Sequence, residues 1–182
     1  MAGNIVTVTY IRGNQYIENW YKPAPKNYNK EDIELVKNGG VPKSRLAHGL
    51  VGQLWVHGLC YETLERMDGF VHMDGDKRYP NSNMYWMNHH GSYVIKPWLG
   101  RQQNLTKSNI LCHPAARPSD LVGCIGVGFL GGGIMSLGIE SLDGIFRQIG
   151  GHPGNTVSKP VFTLAVEGQM KALGACTRMP GG

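Results

Sequence analysis

The chain has 182 residues and a mass of 20.0 kDa, enough for one domain with a sizeable apolar core. Charged residues are only 17% and glycines number 26, which points to a β-rich fold with many tight connections; no G-X-Y period accompanies them, so collagen is excluded. The net charge of +5 suits an anionic partner such as a wall polymer, yet the cations are scattered and Lys77-Arg78 is their only adjacent pair, which argues against a nucleic-acid module.

Residues 4–11 (NIVTVTYI) are β-branched and aromatic and predict a first strand. Residues 29–40 follow with an N-cap candidate in Asn29, acids at Glu31 and Asp32, and an Asn38-Gly39-Gly40 stop, the pattern of a short helix. Leu54 and Val56 alternate with polar neighbours ahead of His57-Gly58, so residues 52–66 predict a hairpin. Residues 66–90 hold turn formers and aromatics without a period and predict a long decorated loop. Residues 91–99 (GSYVIKPWL) predict a strand that loses its pairing at Pro97 or lies at an edge.

Two short strands are expected at 109–113 and 124–129. Ile139, Leu142, Ile145, Phe146 and Ile149 then recur at helical spacing before a Gly150-Gly151 stop. A late strand at 159–168 and a frayed tail from 176 complete the chain. No repeat or composition break divides it, so the expected organisation is a single domain, 1–182. The fold expected is mainly β with one or two short helices, a β-rich α+β arrangement.

The start of the chain shows no basic lead and apolar stretch of a secretory signal. Its longest low-polarity run, 125–139, holds six glycines and is shorter than the roughly 20 residues of a membrane helix. The expectation is a chain made in the cytoplasm, without a membrane span, and carried elsewhere by other machinery. Four cysteines form no C-x-x-C pair, which speaks against a disulfide framework and against zinc; no metal or cofactor is expected. Cys60 and Cys112 are expected as slow thiols in apolar strands, and Cys176 as an ordinary thiol in the tail.

The chemistry concentrates in residues 110–128, ILCHPAARPSDLVGCIGVG. An imidazole, His113, closes one β-run and a thiol, Cys124, opens the next, joined by a loop stiffened at Pro114 and Pro118. A thiol is nucleophilic as thiolate, and an imidazole that takes its proton makes a pair able to attack a carbonyl carbon. Asp120 or a loop carbonyl would orient His113, and Gly123 would let a substrate approach the Gly123 and Cys124 amides as oxyanion donors. The two side chains are expected to face each other across antiparallel neighbours, with Cys112 pointing away into the core. The plainer alternative is a buried core thiol, since cysteine is among the most buried residue types.

His113-Pro114, Asp120 and Gly123-Cys124-Ile125 after a β-run resemble the signature of an uncharacterised domain family of bacteria and their phages, itself similar to the L,D-transpeptidase cysteine enzymes. Gly52, Leu54 and Thr63-Leu64-Glu65 resemble its opening hairpin; Gly91, Tyr93 and Ile95 resemble the strand before the site; the helix from Ile139 resembles the one that follows. The resemblance covers roughly residues 50–150 and leaves the segments 1–45 and 153–182 private to this chain. Leu121-Val122-Gly123 replaces the Ser-His-Gly of L,D-transpeptidases, and Ala115-Ala116 replaces the Gly-Asn that follows His-Pro in the closer family.

The resemblance implies a compact β-sandwich or barrel and cysteine acyl transfer or hydrolysis on peptidoglycan stem peptides. Catalytic candidates are Cys124, His113, Asp120 and Gly123; substrate-side candidates are Tyr93, Arg117, Trp86 and His90. Peptidoglycan or another anionic wall polymer would be the partner. The competing expectation is a non-catalytic part of a phage tail or secretion apparatus, virion-associated or delivered to the periplasm, which the glycine content and private termini would suit. Glu62 and Glu65 are a weaker acid pair, Asp74-Gly75-Asp76 lacks the other ligands of a calcium loop, and the glycines of 126–133 lack a phosphate loop's Gly-Lys-Ser/Thr ending.

Overall fold

Alternating β-branched and aromatic residues place nearly half of the described residues in strands. The computed structural model describes residues 5–20, 30–38, 46–67, 72–98, 110–121 and 123–176. Its first part comprises β1 (Thr7–Trp20), α1 (Lys30–Lys37), β2 (Leu46–Val56), β3 (Leu59–Arg66), β4 (Lys77–Met87) and β5 (Ser92–Lys96). Then come β6 (Cys112–His113), β7 (Ile125–Gly131), β8 (Ile134–Ser136), α2 (Gly138–Gln148) and β9 (Val161–Val166). The fold is mainly β with two short helices, as the composition implies.

The strands form one mixed sheet in the order β3-β2-β1-β9-β4-β5-β6-β7-β8, and β3 also pairs with β7. That last pairing closes eight strands into a ring, leaving β8 as a hairpin arm on β7. Closure removes the exposed edges that an open sheet would carry. Every ring strand sends apolar side chains into one core, including Tyr10, Leu54, Tyr61, Met84, Ile95, Cys112, Ile125 and Phe162. α2 adds Leu142, Ile145 and Phe146, and packs against β5 and β7. A second cluster, Leu64, Leu121 and Met135, covers the outer face of β3 and is flanked by Val51 and Cys124.

The loop expected over 66–90 contains a strand that the sequence did not reveal, β4, while residues 68–71 lie outside the described residues. The register of β4 shifts between Tyr79 and Ser82, and Asn81 is left-handed at φ 62°. A bulge at Pro80-Asn81 therefore interrupts the alternation that would have marked the strand, and Pro80 sits where no ladder donor is needed. β1 likewise runs beyond residue 11, with a register shift between Arg12 and Tyr16. The tail of the sequence reading starts at 176; Cys176 is described, and 177–182 lie outside the described residues.

The terminal segments each supply a strand of the closed ring, β1 and β9. β1 and β9 lie side by side between β2 and β4, in parallel register from Thr7 opposite Thr163 to Tyr10 opposite Val166. Beyond β9 the chain crosses β1, where the Lys171 amide donates to the Arg12 carbonyl at 3.2 Å, and Gln53 Nε2 donates to the Gly174 carbonyl at 2.5 Å. Cys176 then forms a disulfide with Cys60, Cα to Cα 5.4 Å. This corrects the expectation of two free thiols: the chain up to Cys176 folds back on β3, a contact across 116 residues with no local signature.

Candidate active site

The ring positions the His-Cys segment on neighbouring strands, but not in the expected direction. β6 and β7 are parallel, with Cys112 opposite Ile125 and His113 opposite Gly126. The antiparallel expectation fails because the link 114–124 carries the chain back to the start of β6 instead of reversing it beside its end. In this register Cys124 stands level with Leu111, two residues before the partner of His113. At a rise of about 3.3 Å per residue, that offset is roughly 7 Å along the strands.

Both side chains still leave the ring on the same face. Cys112 and Ile125 point into the core, so alternation turns His113 and Cys124 outward, and Cys124 packs beside the Leu64 cluster. Gly126, the partner of His113, places no side chain between them; a Cβ there would meet the Ala115 Cβ at 3.1 Å. Cys112 is buried in the core, and burial raises its thiol far above the ordinary range.

The loop between them is held by its own groups. Pro118–Asp120 forms a 3-10 turn, and Asp120 Oδ2 accepts from the Arg117 amide at 2.9 Å and the Ala116 amide at 3.2 Å. The Ala116 carbonyl accepts from the Met135 amide of β8 at 2.9 Å. Asp120 therefore staples the loop. The orienter of His113 is the loop carbonyl of Pro114, which lies 2.8 Å from Nδ1. A carbonyl only accepts, so Nδ1 carries the hydrogen and Nε2 is left as the acceptor of the neutral ring. Gly123 has φ 75°, a conformation that favours glycine immediately before the thiol.

His113 is only 6% exposed, and burial is the main reason its pKa falls below the ordinary histidine range. The Pro114 carbonyl opposes that fall, the nearby His90 adds to it, the Asp120 charge opposes it, and His89 adds a further small contribution. At Cys124, burial raises the thiol pKa, while a hydrogen bond with the Leu111 backbone and the Lys96 ammonium favour the thiolate. The net direction is upward, opposite to that of a thiol activated in the resting protein. Lys96, at the end of β5, is not among the site residues expected from sequence; its only signal there is a cation closing the apolar run of residues 93–95.

The substrate-side candidates separate. Tyr93 is 1% exposed, stacks on Phe146 with centroids 3.8 Å apart, and accepts from the Gly154 amide at 3.0 Å. It packs in the core beneath the site. Trp86 lies edge-on to Tyr93 and donates to Asn88 Oδ1 at 2.8 Å, so it braces the β4–β5 turn. Arg117 is exposed on the loop. His90, in that turn, stacks on His113 with centroids 4.2 Å apart and planes 13° apart.

Glu62 and Glu65 do not form an acid pair. Glu65 is buried on the core side with Arg12, Tyr10 and His72, whereas Glu62 turns outward and accepts from the Leu130 amide. Asp74 pairs with Lys77 and Asp76 caps the Gly168 amide. Among the described residues, no group of three or more His, Cys, Asp or Glu could hold a metal ion, and no helix is long and apolar enough to cross a membrane. The chain matches no family model, no curated protein and no solved structure.

Proposed function

We propose that the chain is a cysteine acyl-transfer or hydrolytic enzyme acting on peptidoglycan stem peptides, the reading that its resemblance to L,D-transpeptidase-like domains implies. The observation that carries it is the shared outer face of His113 and Cys124 on adjacent strands, with Nε2 left as the acceptor. Lys96 and the Leu111 backbone supply the thiolate with partners. In the first step Cys124 Sγ attacks the amide carbon and its proton passes to His113 Nε2. The carbon–nitrogen bond then breaks, and the leaving amine takes that proton. Water or a second amine attacks the thioester, gives a proton to His113, and releases Cys124. The resting offset of the pair requires the thiol or the loop to move toward the imidazole when substrate arrives.

The Cys60–Cys176 disulfide supports a working place outside a reducing cytosol, in keeping with a wall substrate. The upward pKa of Cys124 favours the second reading, a non-catalytic component of a phage tail or secretion apparatus that keeps the fold and an inert thiol. Digestion of purified peptidoglycan separates them. The native protein is expected to change the muropeptide masses and Cys124→Ala to leave them as in untreated wall. Identical profiles from both proteins and from untreated wall would remove the enzyme reading.

A further inference from the structure

Two imidazoles lie face to face at the site, and the acyl-transfer scheme uses only one. His113 is held at one edge by the Pro114 carbonyl, 2.8 Å from Nδ1, a single contact that does not by itself set the ring plane. The second constraint is the His90 ring, parallel to within 13° at a centroid distance of 4.2 Å. His90 is itself placed by the β4–β5 turn: its amide donates to the Met87 carbonyl at 3.1 Å, the Gly91 amide donates to Asn88, and Gly91 takes φ 58°. His89 stands edge-on to His90 at 5.1 Å.

From this geometry we infer that His90 is a positioning residue: its ring sets the plane of the His113 imidazole, shields that face from water, and so keeps Nε2 a proton acceptor. Two physical effects act together. Covering the ring disfavours its charged form, because an imidazolium loses hydration there. A second imidazole directly above it makes simultaneous protonation unfavourable, since the two charges would lie only 4.2 Å apart. The groups that act on the His113 charge are His90 and His89 on the turn, the Pro114 carbonyl on its own loop, and Asp120 on the 3-10 turn, while the Cys124 thiol shares its outer face from the adjacent strand. Asp120 alone among them favours the imidazolium by its charge, and its carboxylate is engaged by loop amides.

The catalytic consequence rests on the acyl-transfer reading; the effect on the His113 ring does not, and the test separates them. The seven imidazoles of the full chain are titrated by NMR in the native protein, His90→Ala and His90→Phe. Removing the ring is expected to move His113 upward toward the ordinary histidine midpoint. Phenylalanine keeps the cover and the plane but carries no charge, so His113 is expected between the other two proteins. An unmoved His113 in His90→Ala overturns the inference. The muropeptide reaction is then followed against pH, where His90→Ala is expected to shift the acid limb upward and reduce kcat there by roughly two- to tenfold with KM unchanged. A shifted His113 titration with no reaction in any of the three proteins upholds the role of His90 and overturns the acyl-transfer reading alone.

Discussion

Glu65 lies 1% exposed inside the ring and shows how one side chain can hold several strands. Arg12 binds it through Nε at 2.7 Å and Nη2 at 3.0 Å, Tyr10 donates at 2.7 Å, and His72 Nδ1 lies 3.2 Å away. Arg12 also donates to the Met73 carbonyl at 2.8 Å. Burial alone would raise the Glu65 pKa, but hydrogen bonds from His72 and Arg12, followed by the Arg12 charge, outweigh it and hold the carboxyl at about 2. A folded-state pKa below the unfolded value contributes stability above the unfolded pKa and loses it as pH falls through the folded one. This contribution is therefore full at neutral pH and fades from about pH 4.5 down to about pH 2. Glu65→Gln leaves Arg12 buried without its counter-charge and is expected to cost roughly 3–5 kcal/mol in urea unfolding at pH 7. The deficit should shrink toward pH 2; a pH-independent deficit would show that lost packing, not the ion pair, is responsible.

Among the elements, the 114–124 link does the most to define the site, and Asp120 is its staple. Loss of two amide partners in Asp120→Ala is expected to cost about 1 kcal/mol, as for a lost helix cap, and Asp120→Asn, which keeps an acceptor oxygen, should restore most of it. Equal losses in thermal unfolding would mean that charge, not hydrogen bonding, holds the turn. The sequence made visible those elements whose signals are local. His57 and Gly58, at φ 48° and 79°, form the two-residue turn expected of the β2–β3 hairpin, and α2 ends before Gly150 as its apolar period stops. β4 was hidden because the Pro80-Asn81 bulge breaks its period of two. That His113 and Cys124 lie on neighbouring strands was legible in the His-Pro and Gly-Cys pairs that bound a short link, but the relative direction of those strands was not. Strand polarity depends on which neighbour each strand finds, and the link 114–124 permits a parallel return. Lys96 escaped for a related reason: only the pairing of Ile95 with Cys112, and of Cys112 with Ile125, brings the end of β5 near Cys124.

At the scale of the whole molecule, the chain is closed twice. β9 completes the ring by pairing with β1 and β4, and the segment beyond it is tied to β3 by Cys60–Cys176. The two closures differ in strength. The ring carries the buried core, whereas residues 169–172 of the return segment are exposed and its main-chain ties include the Lys171 to Arg12 and Gln53 to Gly174 hydrogen bonds. A disulfide spanning about a hundred residues removes roughly 4–5 kcal/mol of unfolded-chain entropy in the chain-entropy model, and measured values commonly fall at about 2–4 kcal/mol. Reduction, or Cys60→Ser with Cys176→Ser, is therefore expected to lower unfolding free energy by about that amount while the ring persists. The return segment should then loosen locally. Brief trypsin treatment, read by peptide mass, is expected to cut after the exposed Lys171 much faster in the reduced protein than in the oxidised one, with β9 still protected. Equal cleavage in both states would show that the hydrogen bonds, not the disulfide, hold the segment on the ring.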